Sequence, residues 1–105
     1  MVNVAVDPGI CGLPSVIHAE SSDMQTVHVT IDSECPSIKA LEAELSAVEG
    51  YGVTFAKFSA SAVYQAADKH FKHAACPVPA AIVKAVEVAC NLALPKDVTF
   101  TITRT

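Results

Sequence analysis

Basic residues are scarce in this sequence. Seven Lys and Arg stand against eleven Asp and Glu, a net charge of −4, and the seven are scattered along 105 residues. With no basic patch, and no aromatic rings interleaved with cations, the phosphate-neutralising surface that nucleic acid requires is missing. Long apolar runs are missing too. No stretch approaches the roughly 18 uninterrupted residues of a membrane-spanning helix, and the nearest, residues 74–95, is broken by Lys84, Glu87 and three prolines. The opening residues Met1 to Asp7 lack the basic start and apolar stretch of a secretory signal. A cytoplasmic location is therefore the expectation, and there thiols are held reduced. Also absent are a Cys-x2-Cys pair, a glycine-rich phosphate loop, a zincin helix and a serine placed beside a histidine base. No catalytic residue can be singled out on this basis. Aromatic residues make up only 6% while apolar residues reach 51%. Much of that share is alanine, which suits closely packed helices rather than a large aromatic core.

What is present reads as one α+β domain over residues 1–105, the size of a single small core. Val2, Val4 and Val6 alternate with polar or small residues, predicting a half-buried strand ended by Asp7-Pro8-Gly9. Residues 15–20 and 25–32 predict two more strands, with Ile17, Ala19, Val27, Val29 and Ile31 inward and Ser21-Ser22-Asp23 as the hairpin turn. Pro36 opens a helix with the stripe Ile38, Leu41, Leu45 and Val48, and Gly50 ends it. Residues 51–58 fit either period. A second helix, capped by Ser59 or Ser61, runs to about Phe71, and a third runs from Pro77 to about Ala93. Val98, Phe100 and Ile102 alternate with threonines and predict a last strand. The expected architecture is two-layer: a four-stranded mixed sheet, last strand beside the first, with three helices on one face in the order β-β-β-α-α-α-β.

If consecutive elements run antiparallel, as short connections favour, three cysteines reach one end of the molecule. Cys11 lies between Gly9 and Gly12, Cys35 precedes Pro36, and Cys76 precedes Pro77. The two that precede prolines are expected at helix N-caps, where the macrodipole lowers a thiol pKa. Cys11, Cys35 and Cys76 are thus candidate ligands for a zinc ion or an iron–sulfur cluster, with His73 or His70 as the fourth donor. The run His70-x2-His73-x2-Cys76 sets three such donors within two turns. The alternative is that each cysteine is a small buried residue near a tight turn. Cys90 differs: fourteen residues after Cys76 on one helix it stands roughly 21 Å away, and it falls on the apolar side as a core residue. His18 and His28 fall on the solvent side of their strands, opposite one another if the hairpin centres on Asp23, and read as surface residues. Asp7, Asp32 and Glu34 fit turn caps at the thiol end.

Gly9-Ile10-Cys11-Gly12, Cys35-Pro36 and His73-Ala74-Ala75-Cys76-Pro77-Val78-Pro79 with Ala93-Leu94-Pro95 together resemble a small prokaryotic family whose activity is not established. A partial likeness covers residues 76–105. There, Cys76-Pro77-Val78-Pro79, a helix and a strand are similar to the opening of TusA-type sulfur carriers. That resemblance implies a persulfide on Cys76, with Pro77 and Pro79 setting the helix start, although in the carriers the motif follows the first strand. Three functions follow as expectations: a metal or iron–sulfur module, a sulfur-carrier or thiol-redox protein using Cys76, or an interaction domain with buried cysteines. No nucleic-acid or membrane partner is expected; a protein partner or a homo-oligomer stays open.

Overall fold

The computed structural model describes all 105 residues. Three strands form an antiparallel meander: β1 (Val2–Val6), β2 (Ser15–Glu20) and β3 (Thr26–Ser33). Alternation sends Ile17, Ala19, Val27, Val29 and Ile31 to one face, where all five are buried. Helix α1 (Pro36–Glu42) follows, then a two-residue strand β4 (Val48–Glu49), the short helix α2 (Gly50–Thr54) and a single 3-10 turn at Phe58–Ala60. Helices α3 (Ala62–His70) and α4 (Val78–Ala89) complete the fold. The sheet order is β1-β2-β3-β4, antiparallel throughout, with α4 lying across β1 and β2 and α1 beside β3. Ile38, Leu41, Val63, Val78, Ile82 and Val86 close the core from the helical side.

The architecture is α+β, as the residue pattern predicts, but the sheet is not mixed and the order is β-β-β-α-β-α-α. Two local effects cause the difference. The first helix stops at Glu42, because the chain tightens into turns, Glu44 N–H to Leu41 O and Leu45 N–H to Glu42 O, each 3.0 Å. Leu45 and Val48 stay buried without being helical, and Val48 pairs with Val27 as β4 instead. The second effect lies after α4. Asn91 takes the left-handed region (φ 58), its N–H bonds Val88 O, and Leu92 N–H bonds Glu87 O, a Schellman end that stops the helix before Ala93. Beyond it, residues 94–105 are all exposed and form no strand, so the expected last strand beside β1 is absent. The first half of the ambiguous segment 51–58 lies in α2, whose N-terminus is capped by the Glu49 carboxylate accepting from the Tyr51 and Gly52 N–H groups, and Phe58 opens the 3-10 turn.

Gly50 is no helix stop. It opens α2 at a point of close approach, where an added Cβ would stand 2.3 Å from Cys90 Sγ and 3.3 Å from Gln25 O. Cys90 is 4% exposed and belongs to the core, as its place on α4 implied. Gly50→Ala is expected to destabilise by about 1–3 kcal/mol through overpacking, and Cys90→Ala by about 1 kcal/mol. In the double variant the clash with sulfur is gone, so chemical denaturation should show a summed loss smaller than the two single losses by at least ~0.5 kcal/mol.

Candidate thiol site

Val6, Ser15 and Ser33 form the last cross-strand row of the meander. Both β1 and β3 run toward this end, so the loops that follow them leave from the same edge. The loop after β1 turns on Asp7, whose carboxylate accepts the Gly9 N–H at 3.1 Å, and on Gly12 N–H to Gly9 O at 3.0 Å. Gly9 and Gly12 both hold positive φ, 84° and 71°, which glycine adopts freely. Cys11 projects from this loop, exposed. Beside it, the Ser15 hydroxyl donates to Ser33 Oγ at 3.0 Å, and Ser33 Oγ accepts the Cys35 N–H at 3.1 Å. Cys35 is the N-cap of α1, as its Pro36 neighbour predicts, although its side chain makes no capping bond. Cys35 and Cys76 are both half-buried against the core.

Cys76 does not cap its helix. Pro77 holds that position, with φ −81° and ψ −6°, and Cys76 lies one residue outside. Burial pushes its thiol up, and the Val78 N–H at the start of α4, which hydrogen-bonds the sulfur, only partly offsets this. The charges of Cys35 and then Cys11 push it further in the same direction. The low thiol pKa expected from the helix end is therefore reversed at Cys76: desolvation outweighs one amide. No three His, Cys, Asp or Glu side chains stand in an arrangement that could hold a metal ion, so the thiols form no preassembled ligand set.

The two histidines part company. His73 is exposed and shares with Cys76, Tyr64, Phe71 and Pro79 the wall of a groove of about 380 Å³. His70 hydrogen-bonds Glu44 through Nε2, on a carboxylate that also takes Lys69 Nζ at 2.9 Å. Lys69 first and His70 second hold the Glu44 carboxyl below the usual range. Glu44 lies past the C-terminal end of α1, whereas Cys35 caps its start, so His70 is held away from the thiols. Cys90 stands at the opposite end, its thiol raised by burial and then by Glu49 and Asp23.

On the open face of the sheet, His18 Nδ1 meets Asn3 Oδ1 at 2.6 Å and Nε2 meets Asp32 Oδ2 at 3.0 Å, while His28 Nδ1 bonds Ser46 O at 2.8 Å. His18 pairs with Thr30, and His28 with Glu20, so the histidines are diagonal rather than opposite. The turn is two residues longer than a hairpin centred on Asp23, which preserves which face each strand residue occupies. The Ser15–Ser33–Cys35 chain had no signal of its own in the sequence. Two serines at strand ends become partners only once the register is known.

A family model matches residues 2–102. The chain belongs to the family of unknown function DUF6951. The match begins in β1 and runs through α4 into the C-terminal segment, taking in all four cysteines. No curated protein and no solved structure matches.

Exposure and burial set an order of thiol reactivity. In alkylation of the native full chain followed site by site by mass spectrometry, Cys11 is expected to react first, Cys76 more slowly and Cys90 last. The Cys76 rate should still be rising as pH passes the ordinary thiol value of 9.0, because its folded-state pKa lies above it.

Proposed function

We propose that this chain is a thiol-ligand module that takes a zinc ion or an iron–sulfur cluster through Cys11, Cys35 and Cys76, with His73 as the nearest candidate for a fourth donor. One observation carries the reading. Three separate segments each carry a cysteine: the β1–β2 loop and the β3–α1 junction leave the same end of the sheet, and α4 runs from Cys76 toward Cys90, which packs on Gly50 near the opposite end. A protein using a single thiol has no need of the other two.

The candidate donors differ in burial in a way that suits assembly on binding. Cys35 and Cys76 are seated against the core, while Cys11 rides on an exposed loop with a glycine on each side of the Ile10-Cys11 pair. A cation would draw protons from the thiols and replace mutual repulsion with shared attraction, so binding and closure of the loop would be coupled. With three cysteines and one histidine the donor set falls among the common structural zinc types. A sulfur carrier relying on Cys76 is the competing reading. Burial weighs against it, since it raises the thiol where a carrier needs an accessible, low-pKa nucleophile. The carrier-like order of motif, helix and strand is also incomplete, because residues 98–102 make no strand.

Cysteine-to-serine variants at each position, purified without oxygen, separate these readings by metal content, melting temperature and intact mass. Under the metal reading, loss of Cys11, Cys35 or Cys76 each removes most of the metal. Each also lowers the melting temperature by at least ~4 °C, the shift that about 1 kcal/mol produces in a domain of this size. Dependence on Cys76 alone, with one added sulfur atom in the wild-type mass and no metal, would establish the carrier instead. No effect from any of the three leaves an interaction domain with structural cysteines.

A further inference from the structure

The two edges of the sheet are treated differently. Along β3, Thr26 and Val27 pair with β4, the Val29 N–H donates to Leu45 O at 3.3 Å, and the Ile31 N–H donates to the Glu42 carboxylate. That edge is closed by the chain's own backbone and one side chain. Along β1 nothing comparable exists: its backbone bonds only to β2, and its outer amides and carbonyls meet no other group. Val2, Val4 and Val6 on this strand are only half-buried although they pack against the core. An open edge with apolar residues at alternate positions is a template for another strand.

The chain also carries a strand pattern that the structure leaves unpaired. Val98, Phe100 and Ile102 alternate with Thr99, Thr101 and Thr103, a β-branched and aromatic pattern of period two. These three are 56%, 77% and 92% exposed, and no backbone hydrogen bond forms beyond Leu92. The segment is exposed throughout, and the whole chain measures 46 Å along its longest axis against 28 and 26 Å on the others. Its apolar positions lie within the stretch that matches the family.

We propose that residues 97–103 of one chain add as a fifth strand to the β1 edge of a second copy, and that the exchange is reciprocal, giving a closed dimer. Each chain has one unpaired segment of strand pattern and one unpaired edge, so two copies satisfy each other and leave nothing over. The face pattern agrees: Val98, Phe100 and Ile102 match the spacing of Val2, Val4 and Val6 on the helix-covered side, and the threonines fall with Asn3 and Ala5 on the open side. Charge agrees as well. Residues 94–105 hold two of the seven basic residues and one of the eleven acidic ones, so a net positive segment meets a body that is net negative. Two exchanged strands of this length cover an area on the order of the 1,200–2,000 Å² that stable interfaces bury.

Light scattering on the full chain across a concentration series, with Phe100→Asp and Ile102→Glu variants, reads the exchange directly. The wild type is expected at about 22 kDa, twice the 11.0 kDa chain mass, with both variants monomeric and their circular dichroism unchanged. In a mixture of isotope-labelled and unlabelled chains, isotope-filtered NMR should show contacts between residues 98–102 of one chain and Val2–Val6 of the other. A wild type that stays monomeric at millimolar concentration overturns the proposal. So does a dimer that both variants retain, or segment-to-β1 contacts found only within one chain.

Discussion

The register of the β1–β2–β3 meander is the constraint on which the rest depends. It is set at the hairpin, where the Asp23 carboxylate accepts the Gln25 and Thr26 N–H groups, both at 2.9 Å, and is held below its ordinary pKa by them. A slip of one residue would turn Val27, Val29 and Ile31 outward and empty the core. It would also break the row Val6–Ser15–Ser33, and with it the hydroxyl chain that seats the Cys35 backbone. Core and thiol end are thus consequences of one alignment, fixed some distance from both.

The two ends of the sheet are built for different purposes. At the Asp23 end the chain is tightly joined, with the Gly50 N–H donating to Gln25 O at 2.7 Å, Gly50 backed onto Cys90, and Glu49 capping α2. Cys90 serves there as a small buried filler, 4% exposed, its thiol raised by burial. At the opposite end the strands run out into glycine-bearing loop and helix openings. Cysteines occupy those positions with graded burial, and nothing packs over Cys11.

Much of this was legible in the residues, and the failures have physical causes. Strict alternation in Val27-His28-Val29-Thr30-Ile31 leaves one interpretation, and the structure follows it. The spacing of Ile38, Leu41, Leu45 and Val48 fits a helical stripe, yet the last two are buried from a turn and a strand. Burial at spacings of three and four can be met by more than one backbone. Val98-Thr99-Phe100-Thr101-Ile102 carries a clear strand pattern, but a pattern names a conformation and a face, not a partner. The expected convergence of the thiols rested on alternating directions with no further pass in residues 51–58; β4 and α2 intervene before α3, and no group of three His, Cys, Asp or Glu side chains that could hold a metal forms. What could not be read was Cys76's environment, because the competition between one amide and burial is decided by packing. His70's attachment to Glu44, twenty-six residues away, was hidden for the same reason.

The account stands or falls on whether three loops supply one ligand set. X-ray absorption at the zinc edge of the metal-loaded full chain counts the sulfur atoms bound to the ion. Three sulfur neighbours at about 2.3 Å, with one lighter donor completing a tetrahedron, is the predicted result. That count should drop by one in each of the Cys11, Cys35 and Cys76 serine variants and stay unchanged in Cys90→Ala. A chain that takes up no zinc, or holds it with at most one sulfur, would contradict it.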